Sequence, residues 1–273
     1  MNVDKNAIIQ NKIVNPKYND SIVPYLDIDI KGSALYKNRL MMLDILANNN
    51  WKRPIYFSGG AFDDEDYLWL KDYLQLDGMV YKLVPVKTTP SKDGGPLDMG
   101  QIDSEKMYDI VMKWDWGNSE SEKIYHDPET RRNSITYRTN LSRLMNQLIA
   151  EGKIDKAKNV INLAMTKMPL DKYGYYSLVE AFGDGYYKVG EKAKAQDLLN
   201  KLVQKYKENL NYYSTLPPSD QTSLAVDIIT DIERYRSLLH VMDDNKDTAF
   251  YNQHKTTFNT YVNVFERFGR EKE

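Results

Sequence analysis

Asp27-Ile28-Asp29 sets two carboxylates two positions apart, a spacing at which both could share a divalent cation against a diphosphate. The same residues also fit a plain structural reading, because Leu26, Ile28 and Ile30 alternate with Asp27, Asp29 and Lys31, as on a half-buried strand. Ser58-Gly59-Gly60 follows a strand-like run and precedes Asp63-Asp64-Glu65-Asp66. Backbone amides at such a turn could cradle an anion. No GxGxxG and no Lys-Ser/Thr pair accompanies it, and the acids that follow repel phosphate. Asp27, Asp29, Ser58, Gly59 and Gly60 therefore form one candidate ligand edge, with a tight turn as its structural counterpart. A second candidate is aromatic: Tyr173, Tyr175, Tyr176, Tyr187, Tyr212 and Tyr213, with Tyr186 among them, could line a groove that takes an extended peptide or sugar rings. Half-buried helix packing is the plainer reading of these tyrosines.

The catalytic inventory is thin. The chain of 273 residues has no cysteine, which excludes disulfides, thiolate metal sites and cysteine nucleophiles. Its three histidines, His126, His240 and His254, have no metal-ligand spacing, and HExxH and GxSxG are absent. We expect no catalytic residue, metal or cofactor in this chain. A net charge of −2 argues against a nucleic-acid partner. No apolar run approaches the ~20 residues of a membrane helix, so direct insertion of this piece into a membrane is not expected.

Two parts must position these residues. In residues 1–103, strand-like runs at 26–30, 53–57 and 79–86 alternate with helical ones: Leu40, Leu43 and Leu46 after a Ser33 cap, then Tyr67, Leu70 and Leu74 after Asp63. The order predicts an α+β chain that opens with a small three-stranded βαβαβ layer, its strands parallel, with the ligand edge at their carboxyl ends. A loop over 87–103 closes this part. The second part, 104–273, is predicted all-helical, beginning with Met107, Ile110, Val111 and Trp114 on one helix face.

Within the second part, Leu141, Leu144, Leu148, Gly152, Ala157, Ile161, Ala164 and Pro169 resemble the pattern of a tetratricopeptide repeat. Val179, Phe182, Gly183, Tyr186, Gly190, Ala195 and Leu199 match it again, although Leu202 and Lys207 depart from it at the end of that unit. A third helical hairpin carries Leu224, Ile228, Ile232, Tyr235 and Leu239, then Tyr251, His254, Phe258, Tyr261 and Phe265. Units of about 138–170, 176–213 and 221–268 follow, a tetratricopeptide-like helical-hairpin array.

A wider resemblance covers residues 20 to 205. Ile28-Asp29-Ile30-Lys31-Gly32, LDILANNNWKRPIYFSGG, YLWLKDYLQLDGMVYKLVPV and MYDIVMKWDWGN look like the C-terminal extramembrane region of a family of Bacteroidetes membrane proteins. Their multi-pass N-terminal half is similar to protein O-mannosyltransferases and other glycosyltransferases. The resemblance implies that the catalytic machinery lies in that membrane half and that this chain is a soluble tail at the periplasmic face of the inner membrane. It implies a non-catalytic interaction module whose partner is a protein or glycan-bearing molecule, or the membrane-embedded half of the same protein. Two alternatives stay open: a sugar-nucleotide or metal-dependent transferase site at the candidate edge, since Asp-x-Asp is common in glycosyltransferases, and a structural dimerisation or docking domain.

Overall fold

The computed structural model describes residues 1–28, 30, 34–58, 69–88 and 99–269. They fall into two compact units, Met1–Asp115 and Trp116–Glu273. The division comes later in the chain than 103/104, so the helix that opens the expected second part lies in the first unit.

The first unit is built around a three-stranded sheet in the order β1 (Tyr56–Phe57), β3 (Val80–Leu83), β2 (Leu74–Asp77). Both pairings are antiparallel. This corrects the parallel βαβαβ layer. The decisive residues are Asp77-Gly78, between two runs of alternating side chains, which is a hairpin signal. Gly78 takes φ +70°, and only two residues separate Asp77 from its partner Val80. Such a tight turn forces antiparallel pairing, whereas parallel strands need a long crossover. Leu74, expected on a helix face with Leu70, is the first residue of β2; Tyr67 and Asp63 lie outside the described residues. The segment around Leu26 is not a sheet strand either. It runs against the chain start, where the Met1 amine donates to the Leu26 carbonyl and the Leu26 N–H donates to the Met1 carbonyl, both at 2.8 Å.

Among the described residues of the first unit the α-helices are α1 (Lys5–Gln10), α2 (Lys37–Asn48) and α3 (Ser104–Val111). Asp103 caps α3, its Oδ1 accepting from the Lys106 N–H. Helix α3 packs on the hairpin, and a Cβ at Gly78 would come within 3.1 Å of both Ile110 and Trp114. Ile8, Ile13, Leu26, Leu70, Leu74, Leu76, Leu83, Met107 and Val111 form the core.

From Pro128 onward the regular elements of the second unit are helical, as the 3.6-residue periodicity predicts, while 116–127 form turns. Helix α4 (Pro128–Ala150) pairs with α5 (Ile154–Lys167), and the short α6 (Leu170–Tyr173) follows. Helix α7 (Glu180–Lys188) pairs with α8 (Lys192–Thr215). After the short α9 (Pro218–Ser223), α10 (Ala225–Asp244) pairs with α11 (Thr248–Val264), and α12 (Glu266–Gly269) ends the described chain. The three pairs close by one hydrogen-bond scheme. The Lys153 N–H reaches Leu148 O, Glu191 N–H reaches Tyr186 O, and Asp247 N–H reaches Met242 O, at 2.8, 2.8 and 2.9 Å. This six-to-one bond is the Schellman closure, which needs a left-handed residue just before the donor. Gly152 and Gly190 fill that position in the first two pairs and Lys246, at φ 58°, in the third.

Helix α7 sits at the centre of the array, touching α4, α5, α8 and α10. Its sequence permits this because two of its positions lack a side chain. A Cβ at Gly183 would lie 2.6 Å from Leu199 of α8, and one at Gly185 would lie 2.3 Å from the Met145 sulfur of α4.

Candidate functional site

The six candidate groove tyrosines lie in the second unit. Tyr173 is buried and stacks on His126, ring centroids 4.5 Å apart. Tyr175 is 39% exposed and is held at φ 48° by the Gly174-Tyr175 bend. Tyr176 has the Lys205 ammonium over its ring. The Tyr187 hydroxyl donates to Asp247 at 2.8 Å. Tyr212 is 59% exposed and touches Tyr213, at the end of α8.

Helix α8 shows how far apart these rings are. Asp247, which takes the Tyr187 hydroxyl, also binds Gln196 and Lys192 at the start of α8. Tyr176 meets α8 at Lys205, and Tyr213 stands farther on. Seventeen residues separate Gln196 from Tyr213, a span of about 25 Å. Positions 196 and 205 are also nine residues apart, hence on opposite sides of a helix with 3.6 residues per turn. The structure therefore spaces Tyr187, Tyr176 and Tyr213 along α8, sets Tyr212 beside Tyr213, and brings Tyr173 and Tyr176 to Arg138. The exposed members are Tyr175 and Tyr212.

Of the candidate ligand edge, Asp29, Gly59 and Gly60 lie outside the described residues. Asp27 and Ser58 are exposed. The Asp27 N–H donates to the Tyr73 hydroxyl at 3.2 Å. The open-sheet rule that made this edge attractive applies to parallel strands, and the sheet is antiparallel. Among the described residues, no three His, Asp or Glu side chains are placed to hold a metal ion.

Buried polar groups that the sequence reading passed over carry most of the electrostatics. In the first unit, Tyr56, Lys82 and Gln75 face one another across the sheet, and Gln75 bridges onward to Gln101. Lys82 donates to the Ile13 carbonyl. Lys106 of α3 pairs with Asp77, which also accepts from Gln75 at 2.7 Å. Burial, reinforced by the Lys106 charge, pushes the Lys82 ammonium down to about 8, while Asp77 opposes the shift.

In the second unit three buried ionic groups join segments distant in sequence. Arg138 of α4 is wholly buried and donates to the carbonyls of Gly174 and Met168, the latter at 2.8 Å, with the Tyr173 ring nearby. Burial pushes its guanidinium down to about 10. Glu180 of α7 accepts from Tyr206 of α8 at 3.2 Å and from Ser237 of α10 at 3.0 Å. Burial raises its carboxyl pKa, and those hydrogen bonds together with Arg234 offset part of the rise. Asp247 is drawn upward by burial, but hydrogen bonds from Lys192, Gln196 and Tyr187 outweigh it and leave its carboxyl below the usual range. A usable signal existed for Arg138. It falls in register with Ser134, Leu141 and Met145 on the apolar stripe of α4, where a charge is out of place.

The histidines have structural settings. His126 Nε2 lies 2.7 Å from the Ser119 carbonyl, and His254 packs edge-on to Phe250. Burial lowers the His254 pKa, and the Lys207 charge adds to the effect.

Nothing among curated proteins or solved structures matches the chain. Among the described residues no helix is long and apolar enough to cross a membrane. Residues 1–106 match the family model described as TMEM260-associated domain 2, which makes the first unit similar to a domain associated with a membrane protein family.

Proposed function

We propose that the chain is a non-catalytic interaction domain of a membrane protein, standing at the periplasmic face beside a glycosyltransferase-like membrane half. In this reading the helical unit is a tetratricopeptide-like array that receives a protein or glycan-bearing partner. The observation that carries it is the use made of the buried ionic groups. Arg138, Glu180 and Asp247 each join two or three segments, so their charge is committed to holding helix pairs in register. Such an arrangement suits a scaffold, because stacked hairpins present a long side-chain surface without a converging acid and base. The family match over residues 1–106 supports the membrane-protein context.

Of the six candidate tyrosines, Tyr175 and Tyr212 are the exposed ones. A photo-crosslinking residue placed at 175 or 212 in cells is expected to give a discrete adduct, with none from the same residue at Lys201, which is exposed and paired with Asp197. Equal labelling at all three positions overturns the reading. So does saturable heat on titrating the chain with manganese and a panel of sugar nucleotides, which points to a transferase site instead.

A further inference from the structure

One face of the first unit's sheet carries a polar row, Tyr56, Lys82, Gln75 and Gln101, to which β2 adds Asp77 and α3 adds Lys106. All six residues lie within the segment 1–106 that matches the family model. Lys82 stands in the middle of the row and is 5% exposed. Its nitrogen donates to the Ile13 carbonyl and lies within hydrogen-bonding reach of the Lys106 nitrogen. Among the described residues Asp77 is the acid that acts on Lys82, and it already holds Lys106 and Gln75. At the end of the row, the Gln101 Nε2 is buried without a hydrogen-bond partner. Buried donors are normally satisfied and buried charges normally paired, so a spare amide and two adjacent amines in one layer call for a reason. A desolvated lysine flanked by a second cation is the arrangement that keeps an amine neutral and nucleophilic.

We propose that Lys82 is a site of reversible covalent modification by carbon dioxide, its nitrogen forming a carbamate held by Lys106 and Gln101. The electrophile that reaches Lys82 must be small and uncharged, because the side chain is nearly closed off and a charged reagent would lose its hydration on entering. The nitrogen lone pair of Lys82 attacks the carbon of carbon dioxide. A C–N bond forms, one C=O electron pair moves onto oxygen, and one proton leaves Nζ for solvent. Nζ keeps one hydrogen, which still serves the Ile13 carbonyl. The new anion accepts from the Lys106 ammonium and from the spare Gln101 amide, while Asp77 repels it. Lys106, shared between carbamate and Asp77, is therefore the group the adduct depends on. This inference goes beyond the partner-binding reading and does not rest on it.

The test equilibrates the full chain with isotope-labelled bicarbonate at pH 8, where about half of Lys82 but only roughly 0.3% of an ordinary lysine is unprotonated. Triethyloxonium traps any carbamate as its ethyl ester, and peptide mass spectrometry locates the label. The Met1 amine, also open to carbon dioxide, falls on a different peptide. Labelling at Lys82 is expected to exceed that at the exposed Lys201 roughly tenfold, less than the ratio of neutral amines because a weaker base is a weaker nucleophile. In urea above the unfolding transition the Lys82 label should fall to the Lys201 level. Lys106→Met removes the flanking cation and leaves Asp77 to hold Lys82 as an ammonium, so the label should drop about fivefold or more. Gln101→Leu, which keeps both lysines, should lower it less, and it reads the same question if Lys106→Met loses its thermal transition. A Lys82 label no stronger than that at Lys201, a label that survives unfolding at full strength, or an unchanged yield in both variants, each overturns the inference.

Discussion

In the first unit Lys82 is buried in a sheet with a backbone carbonyl for its acceptor and a second ammonium nearby, while helix α2 leaves Met41 and Ile45 in solvent. In the second unit the buried acids Glu180 and Asp247 accept from two or three side chains each, and α7 is buried against four other helices. The contrast is between a buried ammonium that rests on a backbone carbonyl beside a like charge, and buried carboxylates that are each met by several side-chain donors. A settled array gains its rigidity from packing, so its weak point is the central helix. The first unit is held by one hairpin and the helix laid over it.

The largest expected effect follows from the centre of the array. Phe182→Ala in α7 removes a fully buried ring and is expected to cost about 3–5 kcal/mol. Urea unfolding followed by far-ultraviolet circular dichroism reads it, and a cost below 1 kcal/mol would mean that α7 is not the keystone. The corresponding point of the first unit is Gly78→Ala. It meets both a left-handed φ and the side chains of Ile110 and Trp114 at 3.1 Å, for about 2 kcal/mol. The two losses are separable. In a Trp116→Phe background the remaining tryptophans, Trp51, Trp69 and Trp114, all report the first unit. Gly78→Ala should lower that fluorescence midpoint, and Phe182→Ala should lower the helical signal.

The same difference explains how much could be read from the sequence. Long half-buried helices keep one apolar stripe over several turns, so Leu141, Leu144 and Leu148, or Ile228, Ile232 and Tyr235, declare themselves. Gly152 and Gly190 even mark the turns, because the closure needs a left-handed residue there. The first unit gives weaker cues. Strands β2 and β3 are four residues long, too short for the alternation of Leu74-Gln75-Leu76-Asp77 to stand out against a helix. Leu70 and Leu74 stand four apart, as on a helix face, so the Asp77-Gly78 hairpin signal reads as a helix end. Site residues failed for another reason. Tyr187 finds Asp247 sixty positions away, and Arg138 finds Gly174 thirty-six away, pairings that no local pattern encodes.

Proton linkage gives Lys82 of the first unit and the buried tyrosines of the second opposite signs. Lys82 titrates near 8 in the folded chain and near 10.5 unfolded. Between those values the unfolded state holds more protons, so the first unit gains stability as pH rises from 8 toward 10. Tyr206, Tyr187 and Tyr235 of the second unit behave oppositely. Burial raises their hydroxyls above the usual 10, the folded state holds more protons there, and stability falls as pH climbs through 10. Urea midpoints of the Trp116→Phe protein should rise from pH 8 to pH 9.5, and Lys82→Met should flatten that rise. A flat wild-type profile over this window would mean that Lys82 is not desolvated.

The smallest expected effect probes the hairpin closures themselves. Lys246 occupies the position that Gly152 and Gly190 hold in the other two pairs, and a side chain at φ 58° carries a steric cost that glycine escapes. Lys246→Gly relieves that cost but gives back some entropy, because glycine makes the unfolded chain freer. Strain relief is ~1–2 kcal/mol and the entropy term ~0.4–1 kcal/mol, so strain wins by about 0.5–1 kcal/mol and the variant is more stable. Gly152→Ala imposes the same cost in reverse, about 1 kcal/mol, with no clash since nothing lies within 4 Å of its Cβ. Chemical-denaturation midpoints that move in opposite directions for the two variants mean that one closure serves all three hairpins. If Lys246→Gly instead destabilises the chain, the third pair is held by Asp247 and its three donors, and its turn is incidental.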